Sequence, residues 1–410
     1  MTFAELGLES RLLKGVEAMG YTSPTPIQHE AIPHALSGKD VVGCAQTGTG
    51  KTAAFILPIL QSMSPDGGVK ALVVTPTREL ALQIEEVARS CARFTNHRTA
   101  AVFGGVGYEP QKKKIRHGVD LLVATPGRLL DLQRRGDVNL GKVEILVLDE
   151  ADRMLDMGFW PDVRRILALL PAKRQNLLFS ATMSPKVLSV IGDTLDDPTE
   201  VRVGRTATPV EAIEQKLYPV DGMQKGELLV ELMQQRNLDR VLVFTRTKHR
   251  ADRVCRTLSR SGIKAAPIHS NRSQSQRQKA LDDFKQGRVR VLVATDIVAR
   301  GIDVDNISHV INFDMPNNPE DYVHRIGRTA RAGAEGTAFS FLGPDETDEL
   351  RAIEGLINKV IECEDLEGFE YRMRYVPSES RTAKKVHKLA YNGGALSGRG
   401  RRRSRGGRRR

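Results

Sequence analysis

Short runs of Val, Ile and Leu recur along the chain between segments whose apolar residues follow a helical period. In the first half these runs lie at residues 40–45, 71–77, 99–105, 120–126, 143–150 and 176–182. In the second half they lie at 241–247, 265–270, 289–296, 308–314 and 336–342. Short apolar strands that alternate with helices are typical of a parallel sheet covered on both faces. The pattern predicts two α/β domains of similar size, each with a doubly wound parallel sheet.

The pattern stops near Glu200 and resumes after VGRTATPVEAIEQ, which predicts a linker between the domains. A length of 410 residues fits two domains with extensions. The expected divisions are a leading segment 1–29, a first domain 30–205, a linker 206–213, a second domain 214–375 and a tail 376–410.

The positive charge is concentrated at the end of the chain. The net charge is +12, and the segment from Arg381 to Arg410 contains 12 Lys and Arg with no Asp or Glu. The net charge of the residues before this segment is therefore zero. The Gly/Arg-rich end cannot bury apolar surface and is expected to be disordered when free. Its cations favour salt-sensitive binding to nucleic acid, and a solubilising tail is the alternative.

Composition excludes several classes of protein. With 40% hydrophobic and 27% charged residues, and no apolar run near the roughly 20 needed to cross a bilayer, a soluble protein is expected rather than a membrane protein. MTFAELGLES has no features of a secretory signal. Cys44, Cys91, Cys255 and Cys363 show no CxxC spacing, which indicates a reducing, cytoplasmic location and argues against zinc.

AQTGTGKT (45–52) follows a predicted strand and precedes a predicted helix. In this context the N–H groups of Gly48 and Gly50 suit phosphate binding, Lys51 suits the β and γ oxygens, and Thr52 suits Mg²⁺. Ala45 stands where the strict P-loop pattern has Gly, and a chance Gly-rich turn is the alternative interpretation.

VEILVLDEAD places Asp149 and Glu150 at the carboxyl end of a buried strand, where open α/β sheets bind ligands. Asp149 is expected to hold the metal, partly through water, and Glu150 to orient and deprotonate the attacking water. The alternative is a solvated helix N-terminus, where acidic residues are favoured by the helix dipole.

Together, VLDEAD and AQTGTGKT resemble the DEAD-box family of ATP-dependent RNA helicases, and the match extends over residues 3–343. The resemblance implies two tandem RecA-like domains, ATP with Mg²⁺, and single-stranded or short duplex RNA that is unwound locally. DRMLDMGF (152–159) and DYVHRIGRTAR (321–331) are similar to the RhlE-type branch.

The resemblance also implies the nucleotide contacts. GYTSPTPIQ (20–28) resembles the Q motif, in which Gln28 binds the adenine edge and Phe3 stacks on the ring, while Asp303 contacts the ribose. The expected set is Phe3, Tyr21, Gln28, Ala45, Gln46, Thr47, Gly48, Thr49, Gly50, Lys51, Thr52 and Asp303.

HRIGRTAR (324–331) resembles the motif that supplies arginine fingers, here Arg328 and Arg331, to the γ-phosphate. An Arg-rich surface helix is the alternative interpretation from spacing alone. Ala330 stands where many family members have Gly. The expected catalytic residues are Lys51, Asp149, Glu150, Arg328 and Arg331, and the residues expected to couple hydrolysis to unwinding are Ser180, Thr182, Asp152 and His324.

The expected RNA contacts follow predicted strands and suit phosphate binding without sequence readout. They are Pro76, Thr77, Arg78, Gly104, Gly105, Thr125, Pro126, Gly127, Arg128, Thr245, Arg246, Gln274, Arg277, Thr295 and Arg300. Each fragment alone is also compatible with an ordinary loop. The preference for RNA over DNA comes from the resemblance, since the family contacts 2′-hydroxyl groups.

Other functions remain open from the sequence: an ATP-gated RNA clamp or annealing factor, a non-enzymatic RNA-binding scaffold, and a DNA helicase. The intact set of Lys51, Asp149, Glu150, Arg328 and Arg331 argues against a scaffold. A monomer is expected, with ribonucleoprotein partners reached through the tail.

Overall fold

The computed structural model describes residues 2–45, 48–183, 187, 189–190, 192–203, 213–296, 307–330 and 336–372. The predicted linker, apart from Ile213, and the tail lie outside these residues. The strands are β1 Val41–Cys44, β2 Ala71–Val74, β3 Thr99–Val102, β4 Leu121–Ala124, β5 Ile145–Asp149, β6 Gln175–Ser180, β7 Thr199–Arg202, β8 Ile213–Pro219, β9 Val241–Phe244, β10 Ala265–Ile268, β11 Val291–Ala294, β12 His309–Asn312, β13 Gly336–Leu342 and β14 Glu362–Cys363.

The described helices alternate with these strands. They are α1 Ser10–Ala18, α2 Pro26–Leu36, α3 Lys51–Ser62, α4 Arg78–Cys91, α5 Tyr108–Arg116, α6 Pro126–Arg134, α7 Ala151–Asp156, α8 Trp160–Leu167, α9 Lys225–Gln235, α10 Lys248–Arg260, α11 Gln274–Lys285, α12 Pro319–Ile326 and α13 Thr347–Ile357. None of the helices described is long and apolar enough to span a membrane.

The first sheet has the strand order β3-β4-β2-β5-β6-β1-β7, and its described strand pairs are all parallel. Neighbouring residues of a strand point to opposite faces, so Val41 packs in one core and Val42 in the other. Helices α1–α4 cover the first face, with Phe55 and Ile84 buried there. Helices α6–α8 cover the second face, where Trp160 is buried.

The second sheet has the order β10-β11-β9-β12-β13-β8-β14, again with parallel pairing. Leu228 and Val254, from α9 and α10, pack on one side. Tyr322 and Leu350, from α12 and α13, pack on the other. The predicted class, two α/β units on parallel sheets, is confirmed.

Three strands were missed by the apolar-run pattern. Strands β7 and β8 have alternating rather than continuous burial, and β14 is exposed. Ile213, which was expected to end the linker, is buried, begins β8 and pairs with Gly336. The chain forms two compact units.

Candidate functional site

The loop between β1 and α3 carries the predicted phosphate site. Gly48 and Gly50 have φ angles of 87° and 91°, which glycine adopts without the steric cost of a Cβ. Gly50 directly precedes α3, so Lys51 and Thr52 are its first two residues. Backbone N–H groups of a first helical turn have no partner within the helix, and the loop therefore has the geometry of an anion site.

Lys51 is buried at the start of α3. Its ammonium group donates to the carbonyl oxygen of Ala45 at 2.6 Å, across the loop. The N–H of Ala45 in turn donates to Ser180 on the neighbouring strand β6, at 3.1 Å. Lys51 is therefore connected to β6 through Ala45 of its own loop. A phosphate oxygen at the predicted site would compete with Ala45 for the ammonium protons.

Asp149 ends β5, and Glu150 forms a left-handed junction to α7 with φ 53° and ψ 50°. The N–H of Glu150 donates to Oδ1 of Asp149 at 3.0 Å. Burial raises the pKa of Asp149 to about 7, and the nearby Lys51 opposes the rise. Burial therefore disfavours the charged form of the Asp149 carboxyl group.

The Q-motif glutamine is joined to the phosphate loop. The side-chain amide of Gln28 donates to the carbonyl oxygen of Gly50 at 3.0 Å, and its oxygen accepts from the N–H of Thr25 at 2.9 Å. A Cβ on Gly50 would lie 2.5 Å from Nε2 of Gln28. Gln28 and Gly50, 22 positions apart in the chain, therefore join the two motifs into one local structure.

Phe3 and Tyr21 stack on each other, with ring centroids 6.4 Å apart and an interplanar angle of 21°. Phe3 is 5% exposed and belongs to the first core, whereas Tyr21 is 36% exposed. Phe3, which was expected to stack on adenine, is thus the buried ring, and Tyr21, also in the expected nucleotide set, is the more exposed one.

The residues of the first unit that are expected to couple hydrolysis to unwinding lie together. Oδ2 of Asp152 accepts from both the N–H and the hydroxyl of Thr182, each at 2.9 Å. The N–H of Asp152 donates to the hydroxyl of Ser180 at 3.4 Å. The end of β6 is thereby bonded to the helix that follows β5.

Arg153 was not singled out from the sequence. Its Nη1 donates to Oε2 of Glu150 at 2.6 Å, and both side chains are buried. The three-residue spacing of Glu150 and Arg153 was the signal in the sequence that could have indicated this pair. The same spacing is common in surface ion pairs, so it did not distinguish a buried one.

Arg78 and the Gly104–Gly105 loop lie in contact. Gly105 has φ 79°, and a Cβ there would be 1.9 Å from Nη1 of Arg78. Arg128 is buried, and its Nη2 donates to the carbonyl of Val106 at 2.9 Å while its guanidinium lies 4.1 Å from the ring centre of Tyr108. Both arginines therefore support the glycine loop.

The remaining expected RNA contacts of the first unit are at helix starts. Thr77 precedes α4, and its hydroxyl accepts from Leu80. Thr125 precedes α6, which begins with Pro126 and the exposed Gly127. Pro76, Thr77 and Thr125 are buried, so Gly127 is the accessible member of this group.

In the second unit, Arg246 is exposed, whereas Thr245 is buried with its hydroxyl turned to the carbonyl of Thr247 at 3.2 Å. Oδ2 of Asp314 accepts from the N–H of Arg246 at 2.9 Å, and Oε1 of Glu346 lies 3.4 Å from its Nη2. Glu346 also pairs with the buried Lys225 at 2.5 Å. Asp314, Glu346 and Lys225 were missed, although the position of Asp314 just after β12 was a usable signal.

Arg325, which the sequence analysis did not single out, is buried three residues before Arg328, one of the expected arginine fingers. Its guanidinium binds both oxygens of Asp296, at 2.6 and 2.7 Å. Arg328 is buried, and His324 and Thr295 are partly buried. Gln274 and Arg277 lie in the first turn of α11.

Five expected site residues lie outside the described part of the chain. They are Gln46, Thr47, Arg300, Asp303 and Arg331. Their predicted roles stay predictions from the sequence.

Two stretches of the chain match known family models. Residues 25–190 match the model described as DEAD/DEAH box helicase, and residues 224–333 match the helicase conserved C-terminal domain. The chain is 44% identical over 374 residues to the ATP-dependent RNA helicase RhlB of Pseudomonas syringae pv. tomato, a match that covers 88% of this chain and 94% of that protein.

Two further proteins are similar over nearly the whole chain. The ATP-dependent RNA helicase CshA of Limosilactobacillus reuteri is 40% identical over 389 residues, which are 95% of this chain and 76% of that protein. The structure of S. cerevisiae Dbp5 bound to RNA and ADP BeF3 matches with a TM-score of 0.81 and 31% identity, covering 95% of this chain and 99% of that one.

Proposed function

Because the chain belongs to the DEAD-box family of ATP-dependent RNA helicases, we propose that ATP is hydrolysed at the carboxyl ends of β1 and β5. The two α/β units are the RecA-like domains of this family. The observation that carries the site proposal is the joint burial of Lys51, Asp149 and Glu150 at one edge of the first sheet.

The nucleotide would bind with its phosphates on the N–H groups of the β1–α3 loop. Lys51 would exchange its bond to Ala45 for one to a phosphate oxygen, since a charged acceptor forms the stronger hydrogen bond. Gln28 is already joined to Gly50, and Tyr21, in the same motif as Gln28, is 36% exposed. This arrangement supports an adenine site beside the phosphate loop.

Mg²⁺ is part of the proposal, with Asp149 and Thr52 as its protein ligands. The oxygen donors suit this hard cation, which typically uses one or two carboxylates together with substrate phosphates. The raised pKa of Asp149 is also consistent with a metal site, because a neighbouring divalent cation would favour the charged form of this buried carboxyl group. When bound, the ion would neutralise charge on the phosphates.

Glu150 is proposed to orient the attacking water and to take up its proton. Its left-handed backbone conformation turns the chain sharply at the carboxyl end of β5, directly after Asp149. Arg328 and Arg331 are proposed to stabilise charge on the γ-phosphate, a role that rests on the family motif.

We also propose that RNA lies on the loops after β2, β3 and β4, with Arg246, Gln274, Arg277, Thr295 and Arg300 as contacts from the second domain. The contact of Arg78 with Gly105 and the bond from Arg128 to Val106 support this, because they fix the backbone of one continuous loop surface. Arg78 would bind phosphate, and Arg128 would hold the loop from within the fold.

Several finer assignments are also proposals. The RhlE-type branch rests on DRMLDMGF and DYVHRIGRTAR, whereas the relatives compared above bear the names RhlB and CshA. The cytoplasmic location rests on the four scattered cysteines. Ribonucleoprotein partners of the tail and a monomeric state remain predictions.

The test is steady-state ATP hydrolysis with and without single-stranded RNA, for wild type and Glu150→Gln. RNA stimulation that disappears in the variant supports the site, whereas an equally stimulated Glu150→Gln protein contradicts it. A strand-displacement assay with a short RNA duplex separates local unwinding from the alternative of an ATP-gated clamp or annealing factor.

A further inference from the structure

Arg153 and Glu150 form an ion pair at the start of α7. Nη1 of Arg153 lies 2.6 Å from Oε2 of Glu150, and the two side chains are 8% and 10% exposed. Pairs of Arg with a carboxylate three residues away also occur on the surface of this protein, as in Asp162 and Arg165 on α8. The pair at Glu150 differs in being buried and in engaging a residue of the proposed catalytic set.

If Arg153 only stabilised its own helix, its burial with Glu150 would be unusual. A charged guanidinium is costly to remove from water unless its partner compensates it. Helix α7 has only six residues, and its first turn is already bonded through Asp152 to Ser180 and Thr182. The carboxylate of Glu150 is the partner that the structure gives to Nη1 of Arg153.

The bond also makes the two carboxylate oxygens of Glu150 differ in their partners. Oε2 is occupied by Arg153, whereas no hydrogen bond to Oε1 is found among the residues that the structure describes. An ion pair at one oxygen restricts the rotamers of a carboxylate, and the second oxygen keeps its lone pairs for another donor, such as water.

We propose that Arg153 is a positioning residue for ATP hydrolysis, which fixes the carboxylate of Glu150 so that Oε1 faces the attacking water. This inference rests on the proposed role of Glu150. Arg153 itself contacts neither nucleotide nor water in this scheme. Its effect is to remove rotamers of Glu150 in which the water is unaligned, and alignment of a general base contributes directly to rate.

The test compares Arg153→Gln, Arg153→Lys and the matched control Arg165→Gln in RNA-stimulated ATP hydrolysis. Arg153→Gln is expected to lower kcat at least about tenfold while the KM for ATP stays within about twofold, because only the aligned state is lost. Arg153→Lys should fall between Arg153→Gln and wild type, since lysine keeps the charge but not the planar geometry. Arg165→Gln should match wild type.

A double-variant cycle distinguishes positioning from a structural role. Single-turnover hydrolysis, followed over hours, is measured for Glu150→Gln with and without Arg153→Gln. If Arg153 acts through Glu150, the second substitution has little further effect. An equal fold-loss in both backgrounds, or a loss confined to KM, overturns the proposal.

Failure of the inference is separable from failure of the proposed function. Wild-type activity in Glu150→Gln refutes the role of Glu150 itself, whatever Arg153 does. An inactive Glu150→Gln beside a fully active Arg153→Gln refutes only the positioning role. Should Arg153→Gln unfold, Arg153→Lys decides: a folded protein with kcat roughly threefold or more below wild type supports positioning, and an unchanged kcat overturns it.

Discussion

The side-chain amide of Gln28 donates a hydrogen bond to the carbonyl oxygen of Gly50, 3.0 Å away, and thereby joins the Q motif to the phosphate loop. The other end of the same amide caps α2 through the N–H of Thr25. Gln28 is therefore placed to connect the proposed adenine site with the proposed phosphate site.

Gln28→Glu tests this connection. The substitution keeps an acceptor for Thr25 but removes the donor and sets a carboxylate against the carbonyl of Gly50, so we expect the KM for ATP to rise about tenfold or more. The KM is measured in RNA-stimulated ATP hydrolysis. Gln61→Glu is the control, because the Gln61 amide also bridges two backbone groups, those of Gly7 and Glu9. Equal effects of the two substitutions would contradict the prediction.

Gly105→Ala should weaken RNA binding. An added Cβ would lie 1.9 Å from Nη1 of Arg78, so the guanidinium must move, and the φ of 79° adds backbone strain. We expect about a tenfold loss of affinity for labelled single-stranded RNA in fluorescence anisotropy, with RNA-independent ATP hydrolysis unchanged. Gly136→Ala shares a positive φ of 71° but has no neighbour within 4 Å, and should bind RNA normally.

Thr182→Val tests the link between hydrolysis and unwinding. The change removes the hydroxyl bond to Asp152 and leaves the backbone bond to the same oxygen. One lost hydrogen bond is worth about 1 kcal/mol, so we expect unwinding of a short RNA duplex to fall roughly fivefold, more than ATP hydrolysis falls. Thr99→Val removes a similar bond, to Glu85 at 3.1 Å, and is the control. Parallel losses in both activities of Thr182→Val would refute the link.

The raised pKa of Asp149 predicts a pH-dependent stability. The pKa rises from 3.8 when unfolded to about 7 when folded, so the folded state binds the extra proton between these values. The contribution of Asp149 to the free energy of unfolding therefore falls as pH increases through this window, by at most about 4 kcal/mol. Relative to wild type, Asp149→Asn should gain stability from pH 4 to pH 8.

Urea unfolding, followed by the fluorescence of Trp160, the single tryptophan of the chain, measures this change in the first unit. Asp66→Asn provides a control of opposite sign. The N–H of Gly68 lowers the pKa of Asp66, so its contribution to stability is present at high pH and lost as pH falls. A constant stability difference between Asp149→Asn and wild type across the pH range would contradict the assigned shift.

Much of the fold was accessible from the sequence, because strands buried on both faces are continuous apolar runs. β5 and β9 are of this kind, and their residues are buried throughout. β7 and β8 alternate between buried and exposed positions, so the same criterion passed over them. Continuously buried strands were therefore predictable, whereas strands interrupted by exposed polar positions were not.

For the site, the sequence by itself determined which residue types and spacings suit phosphate, Mg²⁺ and water, since the β1–α3 loop and the β5–α7 junction are short and local. Only the tertiary structure decided which groups share bonds. Asp152 meets Thr182 and Arg78 meets Gly105 because parallel strands bring their carboxyl ends to the same side of the sheet, whatever their separation in the chain. Gln28 meets Gly50 because α2 packs beside α3, which Gly50 precedes. Arg153 needed the structure for a different reason: a neighbour three residues along a helix is local, but its burial depends on everything that packs around it.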